Sequence, residues 1–99
     1  MILQRTIHWV KSGKWDELMA LEAKFDACLK RLGWPPRKRY QAAIGGLTTN
    51  TEVIEREWEG FAAMEAALAK ALADAEQQAL GKESESLIEA SQNEVYWVL

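Results

Sequence analysis

At 99 residues the chain has room for one domain, residues 1–99, with a single core. A hydrophobic fraction of 48% and a charged fraction of 27% match an ordinary globular protein. The net charge of −3 and pI near 5.2 argue against a nucleic-acid partner, because such proteins carry a basic face that neutralises phosphates.

A chain this short buries only roughly 60–65% of the surface it exposes when unfolded. Its core is therefore thin, and pairing with a second copy would add apolar area. The single cysteine, Cys28, excludes an internal disulfide and suits a reducing compartment. It falls in an apolar helical stripe between Phe25 and Leu29, so a buried, inert thiol is expected rather than a nucleophile. No run of about 18 apolar residues marks a membrane span. Gln4, Arg5 and Thr6 interrupt the apolar start that a signal peptide would need. A cytoplasmic protein with no membrane association is the expectation.

The opening MILQRTIHWV is rich in β-branched and aromatic residues and predicts a strand. Alternation puts Leu3, Arg5, Ile7 and Trp9 on one face, with Gln4, Thr6, His8 and Val10 on the other. Neither face is wholly polar, so both should be partly covered. Lys11, Ser12 and Gly13 turn the chain.

A long helix is predicted from Lys14 to Leu32. Trp15, Leu18, Leu21, Phe25, Cys28, Leu29 and Leu32 recur at three- and four-residue steps. Asp16 and Glu17 open it, Lys30 and Arg31 close it, and both pairs suit the helix dipole. Gly33, then Pro35 and Pro36, stop it.

Arg37 to Ile44 predicts a second strand, with Tyr40, Ala42 and Ile44 on one face. Thr48 to Asn50 is a polar hairpin loop. The near-alternating TEVIEREWE from Thr51 to Glu59 predicts a third strand, in which Ile54, Arg56 and Trp58 share a face; a charged helix is its rival. Phe61 to Asp74 predicts a second helix, buried along Phe61, Met64, Leu68 and Leu72. From Ala75 to Ser86 periodicity fades, and an irregular connection with one helical turn near Glu76 to Leu80 is expected. Glu94 to Leu99 (EVYWVL) predicts an apolar fourth strand, central in the sheet or against a partner.

The order β–α–β–β–α–β predicts an α+β, ferredoxin-like sandwich: an antiparallel sheet with two helices on one face. The uncovered face, with Leu3, Ile7 and Trp9, predicts a sheet-to-sheet homodimer.

Two stretches also carry a resemblance. LQRTIHWVKSGKWDEL and EREWEGFAAMEAAL resemble the dimeric α/β-barrel superfamily, which includes NIPSNAP proteins and antibiotic-biosynthesis-type monooxygenases. The first looks like the NIPSNAP opening strand, turn and helix start; the second like a third strand ending in an aromatic, then the second helix. The resemblance implies a homodimer whose two sheets close into a barrel, with a ligand cleft between each sheet and its helices. The haem-degrading branch places an asparagine on the first strand, a tryptophan ending the third and a histidine on the second helix. Trp58 matches the tryptophan, Thr6 stands near the asparagine position, and Phe61–Asp74 has no histidine. That chemistry does not fit, and no cofactor is implied.

Among single residues, His8 is the only histidine. As a general base or proton shuttle it would act near neutral pH; as a structural residue it would simply be hydrogen-bonded and partly buried. No second histidine or neighbouring cysteine supports a zinc site, and no metal is expected. The five tryptophans suit an aromatic ligand pocket, or equally a core and an interface. Glu55, Glu57 and Glu59 line one strand side, as a cation or acid–base site or as partners of Arg5, Arg37 or Arg39 across strands. The basic run Arg37–Lys38–Arg39, with Lys30 and Arg31 upstream, offers an anion site or a solvated strand entrance.

Three functions remain open. The chain is a NIPSNAP-like homodimer binding a small apolar or aromatic ligand, in a cleft lined by Thr6, His8, Tyr40 and Trp58. Alternatively it is a cofactor-independent monooxygenase-like enzyme using His8 and Trp58, or a purely structural or partner-binding module. Leu3, Arg5, Ile7 and Trp9 are the expected dimer face.

Overall fold

The computed structural model describes residues 1–99. The chain runs β1 (Ile2–Val10), α1 (Trp15–Arg31), β2 (Arg37–Gln41), β3 (Thr51–Trp58), α2 (Phe61–Ala73), α3 (Ala75–Ser84) and β4 (Ile88–Trp97). Its strands form one antiparallel sheet in the order β2-β3-β1-β4. This is the ferredoxin-like arrangement that the strand and helix patterns predict, with one helix more.

Register decides which side chains meet, because residues directly opposite in antiparallel strands point to the same side. Ile2 faces Trp58, Gln4 faces Arg56, Thr6 faces Ile54 and His8 faces Glu52. The edge strand β2 adds Arg37 opposite Arg56 and Arg39 opposite Ile54. The helices cover this side. Val10 packs with Leu18, Leu21 and Cys28 of α1, Leu80 of α3 and Leu87 in one buried cluster.

α1 ends as its sequence dictates. The Gly33 amide donates to the Lys30 carbonyl and the Trp34 amide to the Leu29 carbonyl, with Gly33 at a φ of +81°. These two bonds make a Schellman stop, which requires a left-handed residue. A Cβ at Gly33 would meet no neighbour, so Gly33→Ala tests backbone conformation alone. We expect a loss of about 1 kcal/mol in denaturant unfolding. No loss would mean that the stop does not constrain the helix.

Besides the expected buried face of α2, where Phe61, Leu68 and Leu72 stand exposed and Ala71 alone is buried, three expectations require correction. First, Ala75–Ser84 is a regular helix, not an irregular connection. Asp74 caps it, its carboxylate accepting from the Gln77 amide at 3.0 Å, and Leu80 alone anchors it in the core. One apolar anchor leaves no visible stripe. Second, β2 stops at Gln41, and Ile44 is fully exposed rather than facing along a strand. Third, β4 starts at Ile88 and ends at Trp97, and it forms the sheet edge beside β1. Its polar first half, Glu89 to Asn93, needs only β1 as partner, so apolar composition alone misplaces its start. No helix is long and apolar enough to cross a membrane.

Candidate functional site

Two clusters occupy the space between sheet and helices. The first is polar. α1 lays Glu22 over the sheet, where His8 and Glu52 stand opposite each other on β1 and β3. His8 Nδ1 lies 3.2 Å from Glu52 Oε1 and 4.0 Å from Glu22 Oε1. From β2, Arg39 donates through Nε to Glu52 Oε2 at 2.8 Å, and Arg37 places a terminal nitrogen 2.5 Å from Glu22 Oε2. Arg37 also donates to Asp26 at 2.7 Å. Both glutamates are almost fully buried.

Their titration is pushed in opposite directions. Burial and the facing Glu52 charge raise the Glu22 carboxyl above its ordinary value, against the pull of Arg37 and Arg39. Burial acts the same way on Glu52, but hydrogen bonds from His8 and Arg39 outweigh it and hold that carboxyl low. Ligand atoms of His8, Glu22 and Glu52 all lie within 4.8 Å of one another. A dication there would sit against two guanidiniums that already neutralise these carboxylates. The cluster is a closed charge network.

The second cluster is aromatic. Trp58, 4% exposed, donates from its indole to Gln4 Oε1 at 3.0 Å. It meets Trp34 edge-on at 5.1 Å between ring centroids, and the Trp34 indole donates to the Ala67 carbonyl at 3.2 Å. Arg56 lies over the Trp34 ring at 4.8 Å. Beside this layer opens a groove of about 840 Å³, walled by Leu32, Pro35, Pro36, Trp58, Ala63 and Ala67. Lys38, Glu55 and Glu57, with Leu3, reach it from the open face of the sheet, and Lys70 from α2.

The residues expected around one cleft do not converge. Thr6, His8 and Trp58 do share the helix side of the sheet. However, His8 and Trp58 are six ladder positions apart, a distance of about 20 Å along the strands. One small ligand cannot touch both. Thr6 is engaged across strands with Asn93 Oδ1 at 2.6 Å. Tyr40 pairs with Val53 and therefore faces the other side of the sheet, half exposed. Only Trp58 lines the groove.

The glutamate pairing is also only partly as expected. Glu55 meets Arg5 at 3.6 Å on the open face, whereas Arg37 and Arg39 turn to the helix side and take Glu22, Asp26 and Glu52. Cys28 is 1% exposed, and burial pushes its thiol up, which keeps it protonated. The polar network escapes sequence inspection because Glu22 sits in α1, far in sequence from its partners. The Trp34–Arg56 contact escapes it because Trp34 lies in the turn after α1, with no periodicity to reveal its direction.

A four-stranded antiparallel sheet, helices on one face and a groove at one end define a ferredoxin-like fold. Among solved structures, a NIPSNAP domain protein from Burkholderia xenovorans matches with a TM-score of 0.88 at 14% identity, over 100% of this chain and 95% of that one. A NIPSNAP family protein from Agrobacterium tumefaciens matches with a TM-score of 0.83 at 20% identity, covering 99% and 85%. An antibiotic biosynthesis monooxygenase matches at 0.74 and 11% identity, covering 100% and 99%. No family model matches the sequence, and no curated protein does. The likeness is one of fold.

Proposed function

We propose that the protein is a NIPSNAP-like homodimer that holds a small apolar or aromatic ligand in the groove beside Trp58. The groove itself carries this reading. About 840 Å³ lies within the range of small-molecule sites, and alanines along α2 leave room that larger side chains would fill. A purely structural module would close this space with its own residues. A monooxygenase of the kind suggested by one fold neighbour would need its base and its aromatic in one pocket, and His8 stands at the far end of the strands. The single buried thiol fits a cytoplasmic setting.

Native mass spectrometry of the purified protein tests both parts of this reading together. The expected result is a dimer mass carrying a discrete added mass that disappears on mild activation. A bare dimer after incubation with aromatic probes would remove the ligand, and a monomer would remove the homodimer.

A further inference from the structure

A second cavity, of about 500 Å³, shares Pro35, Pro36 and Arg37 with the groove but differs in chemistry. Its lining includes Lys30, Arg37, Arg39 and Arg56, with Asp26 as the one acidic residue, and Leu29 and Trp34 as apolar walls. Arg37 and Arg39 are already neutralised by Glu22, Asp26 and Glu52. Arg56 is not. It is 8% exposed, forms no ion pair, and makes one hydrogen bond within the protein, from Nε to the Pro35 carbonyl at 2.9 Å.

An unpaired charge buried to this degree is costly, and proteins rarely keep one without a partner. Burial and the neighbouring Arg37 push its guanidinium down to about 10, so it still carries its charge at neutral pH. One edge of that guanidinium is used by Pro35, and one face is covered by Trp34. The terminal amino groups are left, and their parallel N–H bonds match the two oxygens of a carboxylate. Arg37, Arg39 and Arg56 stand against Glu22, Asp26 and Glu52, and the exposed Lys30 brings the fourth cation, so one further negative charge balances the site.

We propose that this cavity binds the carboxylate of a small organic monoanion, with Arg56 as its bidentate anchor and Trp34, Leu29 and the prolines against its apolar body. The observations are independent of those on the groove, and either site can fail alone.

Titration of the intact protein with phenylacetate, phenylacetamide and inorganic phosphate tests this, followed by the Trp34 and Trp58 indole and Arg56 Nε–H signals in nitrogen–proton spectra. Phenylacetate should shift the Trp34 and Arg56 signals saturably and leave the Trp58 indole less affected. Phenylacetamide should bind about tenfold more weakly or worse, having the same body without the charge. Arg56→Gln should weaken phenylacetate by a similar factor, and Arg56→Lys should restore little, because an ammonium lacks the fork. Equal binding of acid and amide, undiminished binding to Arg56→Gln, or no saturable shift would overturn the proposal. Phosphate binding more tightly than phenylacetate would overturn the carboxylate assignment. Should Arg56→Gln not fold, the acid–amide comparison on the unaltered protein decides.

Discussion

Replacing Glu52 by leucine should destabilise the protein by about 3 kcal/mol. The substitution leaves Arg39 and His8 facing a hole in their charge network, 2.8 Å and 3.2 Å from oxygens that no longer exist. Breaking a buried ion pair from one side ordinarily costs about 3–5 kcal/mol. The lower end applies because Arg39 retains 28% exposure of its side chain and Glu22 Oε2 lies 3.6 Å away as a substitute partner. For a domain of this size that loss lowers the thermal midpoint by roughly 12–24 °C. Calorimetry of the two proteins at equal concentration measures it. A change within about 0.5 kcal/mol, as for an ordinary surface site, would mean that the network contributes nothing net.

The same network gives stability a definite pH profile. Glu22 has its carboxyl raised on folding, so the folded state takes up its proton first and gains stability as pH falls through that raised value. Glu52 has its carboxyl lowered, so its contribution is intact above the unfolded value of about 4.3 and is lost as pH falls through the lower folded value. Stability should therefore peak on the mildly acidic side of neutrality and collapse at more acid pH. In the Glu52→Leu protein the facing charge that helps raise Glu22 is gone, and the gain on acidification should shrink. A midpoint rising steadily from pH 5 to pH 8 would contradict the opposed titrations.

Local chemistry made the framework legible. α1 announced itself by its stripe, its charged ends and Gly33, and the Arg56–Trp58 alternation placed β3 correctly against the helical alternative. The same alternation puts Leu3, Arg5, Ile7 and Trp9 on the open face, although Leu3 also reaches the groove. Distance along the strands is less legible than phase. His8 and Trp58 share a face, yet period-two logic says nothing of how far apart two strands set their residues. Phase itself is unfixed in β2, which has no buried apolar pattern: Tyr40 takes the open face, while Arg37 and Arg39 point inward to carboxylates of α1 and β3. α3 was missed because a cap and one leucine are enough when the helix packs on a preformed core.

The register also supports the second large effect, on assembly. Val53→Lys should convert the proposed homodimer to a monomer while leaving the fold intact. Val53 lies on the open sheet face, between Ile7 of β1 and Tyr40 of β2, and is half-buried. Four strands about 4.8 Å apart and averaging about eight residues present a face of about 500 Å² in projection, so two copies meeting cover about 1,000 Å², the lower bound of a stable interface. Arg5 beside Glu55, with Lys38 and Glu57 nearby on the same face, supplies both signs of charge for a twofold-symmetric contact. A lysine at the centre of that contact would be trapped without a partner in the dimer. In the monomer its long stem reaches solvent, which keeps the substitution tolerable there. Sedimentation at micromolar concentration should show the unaltered chain as a dimer and Val53→Lys as a monomer, with the same circular dichroism. A variant still dimeric would move the interface off this face, toward the exposed Trp97 at the β4 edge.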